Sequence, residues 1–120
     1  MAAPQSTVLV VDDDESIRLL CRINLELEGY VVVEAATLKA AREALLQHPV
    51  DLLLLDVRVG VEDGLAFLDE LRGERSAVRV ALLTGDTAVL SGASAEAVIP
   101  KPFTLEQFRR TVRGLVEPLV

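Results

Sequence analysis

Five short apolar runs, each followed by a polar turn and a stretch of helical length, constrain this chain more than any other feature. They are Val8-Leu9-Val10-Val11, Val31-Val32-Val33, Leu52-Leu53-Leu54-Leu55, Val80-Ala81-Leu82-Leu83 and Val98-Ile99. The runs are continuous rather than alternating, which is the pattern of strands covered on both faces. Strands alternating with helices predict a parallel sheet, because each parallel connection needs a crossover. Right-handed crossovers then give a doubly wound, five-stranded α/β sandwich with helices on both faces.

Helical spacing fills the intervals. Ile17, Leu20, Cys21, Asn24 and Leu27 predict a first helix with one apolar stripe, stopped by Gly29. Leu38, Ala41, Leu45 and His48 predict a second, ended by Pro49. Phe67, Leu68 and Leu71 predict a third, closing near Gly73. Leu105, Phe108, Val112, Leu115 and Val116 predict the last, capped by Thr104. Between Leu83 and Val98 the pattern is weak, so the fourth helix of the set is expected to be short or irregular. The ordered domain is expected over 7–116, with flexible ends at 1–6 and 117–120.

Composition narrows the function classes. The chain has 120 residues, enough for one core. Aromatics are 3% of it, so that core is aliphatic. A net charge of −7 disfavours direct nucleic-acid binding, which needs a basic footprint. The single Cys excludes an internal disulfide and a cysteine-based zinc site. No apolar run exceeds four residues and no signal-peptide pattern opens the chain, so the expectation is a cytoplasmic protein with no membrane contact.

In a parallel sheet, ligands bind at the carboxyl ends of the strands. Here those ends carry Asp12-Asp13-Asp14-Glu15, Asp56, Thr84 and Lys101. Asp14 and Glu15 are read as helix-capping acids. Asp12, Asp13 and Asp56 would repel one another if all were ionised, and their pKa values would rise. A divalent cation resolves the conflict, and a few oxygen ligands with room for water suit Mg2+. With Thr84 and Lys101 facing the metal, the site becomes a receptacle for a phosphoryl group and Asp56 a candidate nucleophile.

Four segments, Val8 to Asp14, Leu53 to Asp56, Leu82-Leu83-Thr84-Gly85 and Lys101-Pro102-Phe103, together resemble the receiver domain of two-component response regulators. The resemblance implies a flavodoxin-like sheet of order 2-1-3-4-5 and a Mg2+-dependent switch. A histidine kinase or histidine phosphotransfer protein would supply the phosphoryl group. It casts Asp56 as phosphoacceptor, Asp13 as direct metal ligand, Asp12 as a ligand acting largely through water, and the Arg58 backbone carbonyl as a third protein ligand. Thr84 matches the switch hydroxyl and Lys101 the phosphoryl-pairing lysine, with Lys101–Pro102 matching a cis peptide. Arg58 and Asp86 fall where the family tunes hydrolysis, and their opposite charges could pair across the site mouth.

The chain departs from the family in three places. A Met-Pro pair common after the phosphoacceptor is absent from Val59-Gly60-Val61, so a more mobile loop is expected. Val98 stands where an aromatic is frequent. The interval from Thr84 to Lys101 is short, which suggests a switch that works by ordering Asp86–Ser94. The alternative function is a pseudo-receiver, a phosphorylation-independent interaction module; intact Asp13, Asp56, Thr84 and Lys101 argue against it. A small phosphatase lacks an obvious general acid. The sequence reads either as a stand-alone receiver or as the receiver of a longer regulator. Other residues have structural readings: Cys21 as a buried small hydrophobe, His48 as a helix-end residue, and Arg109, Arg110 and Arg113 as a solvated face.

Overall fold

The computed structural model describes residues 5–85 and 94–116. Its elements run β1 (Thr7–Val11), α1 (Glu15–Leu27), β2 (Val31–Ala35), α2 (Leu38–Gln47), β3 (Leu52–Asp56), β4 (Arg58–Val59), β5 (Glu62–Asp63), α3 (Gly64–Gly73), β6 (Arg79–Thr84), β7 (Ala97–Pro100) and α4 (Leu105–Val116). Five strands form one parallel sheet in the order β2-β1-β3-β6-β7. Counted among themselves, these are 2-1-3-4-5, as the resemblance implies. The expected short helix falls on 86–93 and lies outside the described residues, as do the ends at 1–4 and 117–120. Ser6 is already tied to the sheet: its carbonyl accepts the Val31 N–H at 2.9 Å.

Alternate residues of each central strand feed two separate cores. Leu9, Val11, Leu53, Leu55, Val80 and Leu82 face α2 and α3, against Ala41, Ala44, Phe67, Leu68 and Leu71. Val8, Val10, Leu52, Leu54, Ala81 and Leu83 face α1 and α4, against Cys21, Leu25, Phe108 and Val112. Period-two side-chain alternation makes a continuous apolar run necessary wherever both faces are covered. Each fully buried Leu or Val contributes about 1.5–3 kcal/mol. The edge strands escape this demand, and Val31 on β2 and Val98 on β7 are exposed.

Two expectations change. The α1 stripe divides: Cys21, Asn24 and Leu25 are buried, whereas Leu20 and Leu27 face solvent with Leu19 and Ile23. Helical spacing marks apolar faces but does not say which one meets the sheet. The loop after Asp56 also contains an ordered element, the hairpin β4–β5, which pairs Arg58 with Asp63 and Val59 with Glu62. Its two loop residues are Gly60 and Val61, and Gly60 has φ +63°. A glycine at the first position of a two-residue loop is what a type II′ hairpin turn requires. The glycine that replaces the family's proline thus supplies a tight turn. Glu62 fastens the hairpin further by accepting the Leu38 N–H at 3.3 Å.

Candidate functional site

The carboxyl rim of the sheet brings the strand-end residues together. Leaving β1, the Asp12 N–H still donates to the Ala35 carbonyl at 3.2 Å. The Asp12 side chain turns back, and its Oδ1 accepts the Asp14 N–H at 2.9 Å. Asp14 caps α1 as expected, accepting from the N–H groups of Ser16 at 2.8 Å and Ile17 at 3.3 Å. The three consecutive aspartates therefore divide their work. Asp12 is buried in the rim, Asp13 is exposed above it, and Asp14 starts the helix.

Asp56 ends β3, with its side chain 13% exposed. Its Oδ1 accepts the Arg58 N–H at 3.1 Å, so the Arg58 main chain lies against the carboxylate while the guanidinium side is exposed. Beneath this turn the Gly64 N–H donates to the Val57 carbonyl at 2.7 Å. A Cβ on Gly64 would overlap the Asp56 carbonyl oxygen and sit 3.0 Å from that of Val57. Gly64 is therefore required by a close backbone approach that sets where Asp56 begins.

Carboxylate oxygens of Asp12, Asp13 and Asp56 lie within 4.8 Å of one another. Lys101 reaches in from the end of β7, its Nζ donating to Asp12 Oδ2 at 2.9 Å and to Asp56 Oδ2 at 3.2 Å. The Lys101–Pro102 peptide is cis. Thr84 is buried at the end of β6, and its carbonyl accepts the Lys101 N–H at 2.7 Å. Asp86, the expected partner of Arg58, lies outside the described residues, as does most of the segment expected to order.

Charge regulation follows from burial more than from repulsion. Burial is the first cause that pushes the Asp12 carboxyl above its usual value, and the neighbouring Asp56 adds to it. The Asp14 N–H and Lys101 pull the other way without cancelling the rise. Burial also pulls Lys101 down, but the Asp12 and Asp56 carboxylates outweigh it and hold the ammonium above the ordinary lysine range. Mutual repulsion, the expected cause for Asp12, is the lesser one. On α1, burial pushes the Cys21 thiol up to about 12, in keeping with its reading as an inert core residue.

One participant was not anticipated. Arg18 on α1 donates from Nη1 to the Asp12 carbonyl at 2.8 Å and from Nε to Glu34 Oε1 at 3.3 Å. Its only trace in the sequence is a cation one turn into the helix that follows the aspartates, and many surface helices show the same.

Comparison with known proteins agrees with this arrangement. The family model for the response regulator receiver domain matches residues 8–113. The chain is 34% identical over 113 residues to the transcriptional regulatory protein KdpE of Mycobacterium tuberculosis, covering 91% of this chain and 50% of that protein. It is 38% identical over 111 residues to the alginate biosynthesis transcriptional regulatory protein AlgB of Pseudomonas aeruginosa, covering 88% and 24%. The chain thus spans half or less of these relatives. Among solved structures, the beryllofluoride-activated NtrC4 receiver domain dimer superposes with a TM-score of 0.82 at 34% identity, covering 92% of this chain and 96% of that one. The receiver domain of the TMAO respiratory system response regulator TorR gives 0.83 at 30%, covering 92% and 95%. Among the described residues no helix is long and apolar enough to cross a membrane. The matched span contains the three carboxylates, Thr84 and Lys101, and the chain belongs to the receiver domain family of two-component response regulators.

Proposed function

We propose that residues 7–116 act as a phosphoacceptor domain in which Asp56 takes a phosphoryl group from a histidine kinase or histidine phosphotransfer protein in the cytoplasm. The observation that carries the reading is the meeting of three carboxylates from the ends of β1 and β3 with a single ammonium from the end of β7. Three acids against one base leave the pocket short of positive charge. Oxygen-only donors this close together fit Mg2+. Asp13, Asp12 and Asp56 would hold the ion, with the Arg58 carbonyl as a further ligand. When bound, Mg2+ neutralises charge on the oxygens of the group being transferred.

The chain's own groups supply the rest. An Asp56 oxygen attacks phosphorus; a P–O bond forms as the P–N bond to the donor imidazole breaks, and the imidazole leaves with the bonding pair. Lys101 already contacts Asp56 and adds a second positive charge beside the acceptor. Thr84 offers its hydroxyl to the acyl phosphate and carries the change into β6. Arg58 and Asp86 set the lifetime of the acyl phosphate by controlling the approach of water. In this reading the domain catalyses its own phosphorylation and dephosphorylation and turns over no metabolite.

Incubation with Mg2+ and acetyl phosphate, followed by intact mass measurement, tests the proposal. A gain of one phosphoryl group that is abolished in Asp56→Asn is expected. Equal gain in Asp56→Asn would move the acceptor elsewhere. No gain in the parent would favour the pseudo-receiver.

A further inference from the structure

We infer that Arg18 is a positioning residue for the acid pocket: through the Asp12 carbonyl it sets the peptide plane from which Asp13 departs. The inference rests on the reading of Asp12, Asp13 and Asp56 as the Mg2+ pocket. The sheet ladder of β1 ends at Val11, paired with Ala35 and Leu55. Asp12 is 1% exposed, so its carbonyl needs a protein donor rather than bulk water. Arg18 Nη1 is that donor, at 2.8 Å.

The guanidinium is itself held. Its Nε meets Glu34 Oε1 at 3.3 Å, and Arg22 Nη1 meets Glu34 Oε2 at 2.8 Å. Glu34 sits on β2 opposite Val10, two residues before Asp12. The chain α1–Arg18–Glu34–β2 therefore straps the end of β1 from the side. Both polar groups of the Asp12 backbone are fixed, the N–H by Ala35 and the carbonyl by Arg18.

A peptide unit is planar, so fixing the Asp12 carbonyl also fixes the Asp13 N–H and the direction in which Asp13 leaves. This matters most for Asp13. It is exposed, and among the described residues no donor holds its carboxylate. Its placement beside Asp12 and Asp56 depends on its backbone. Loss of such outer partners typically weakens metal binding by about 10–100-fold.

The sign of the effect separates positioning from charge. A guanidinium close to an acid pocket repels a divalent cation, so a purely electrostatic Arg18 would predict tighter Mg2+ binding once its charge is removed. A positioning Arg18 predicts weaker binding. Titrating the full chain with Mg2+, followed by backbone amide NMR shifts, decides between them. Arg18→Met keeps the side-chain stem and removes the donors; about tenfold weaker binding is expected in the folded protein. Glu34→Gln keeps Arg18 but loosens its anchor; the charge it leaves uncompensated also repels the cation, so the titration is run at high salt, where that repulsion is screened and about threefold weaker binding is still expected. A merely structural Arg18 would lower the thermal midpoint and leave the affinity of the folded fraction unchanged. Unchanged or tighter binding in Arg18→Met overturns the inference. If that variant does not fold, unchanged binding in Glu34→Gln overturns it. In both cases Asp13→Asn still loses Mg2+ binding and the pocket reading stands. Parent-like binding in Asp13→Asn overturns the pocket reading and the inference together.

Discussion

The two rims of the sheet use the same kinds of side chain to opposite ends. At the amino rim every acid named here meets a donor from the start of a strand or the end of a helix. Asp51 Oδ2 accepts the Thr7 N–H at 2.8 Å, and Glu96 Oε2 accepts the Val80 N–H at 2.6 Å. Arg72 closes the set: it pairs with both oxygens of Glu96 at 2.9 and 3.1 Å and donates to the carbonyls of Val78 at 2.9 Å and Ser94 at 3.1 Å. At the carboxyl rim three acids converge on one another, and one lysine serves two of them. Acids that satisfy strand-end donors stabilise the fold. Acids gathered against their own repulsion leave a charge deficit that a ligand can fill. Acidity alone does not distinguish the rims; the fate of each oxygen does.

The largest test of this contrast is Gly64→Ala. The added methyl must push aside the backbone beneath Asp56, at a cost of about 1–3 kcal/mol in urea unfolding. Phosphorylation is expected to fall about tenfold or more, since a misplacement on the order of 1 Å is enough for such losses. Parent-like stability and phosphorylation would mean that backbone packing does not set the acceptor.

Arg72→Met probes the other rim. It removes charge-assisted bonds that are partly shielded from solvent and should cost about 1–3 kcal/mol. Because its partners are remote from the acid pocket, phosphorylation of the folded protein should stay within about twofold. A larger loss would couple the rims and erase the contrast.

The subtlest pair reverses sign. Asp51→Ala should cost about 1 kcal/mol by leaving the Thr7 N–H without its acceptor. Asp13→Asn, in low salt without divalent ions, should cost nothing or stabilise by up to about 1 kcal/mol, because it relieves repulsion among neighbouring carboxylates. Added salt should shrink the gain. Added Mg2+ should cancel it, since binding stabilises the parent. Thermal unfolding of both variants in each buffer reads the signs directly. Equal destabilisation by the two would show that both acids are structural.

Much of this was legible in the residues. The short Val and Leu runs, bounded by turns and alternating with helical stretches, read as strands of a parallel sheet, and the central ones, β1, β3 and β6, are covered on both faces. Asp14 capping α1, the turn at Gly29, and the gathering of Asp12, Asp13, Asp56, Thr84 and Lys101 at one rim follow from backbone preferences and parallel topology. These depend on neighbours in sequence or on the fold class as a whole.

The remainder depended on how elements pack. Helical spacing gave α1 an apolar stripe that included Leu20 and Leu27, yet the sheet buries Leu25 and leaves those two in solvent. The rotation of a helix on a sheet is a balance over the whole core. The β4–β5 turn rests on a conformation at Gly60 that a missing proline does not announce. Asp12 owes its raised pKa first to burial, and burial is a sum over distant neighbours. Arg18 finds the Asp12 carbonyl and Glu34 only because α1 and β2 flank the end of β1. Which groups the chain carries and which rim they occupy follow from local backbone chemistry and parallel topology, and both can be read along the chain. Which oxygen each donor reaches, and which carboxylate is shut away from water, emerge on folding, because hydrogen bonding and desolvation turn on ångström distances between residues far apart in the chain.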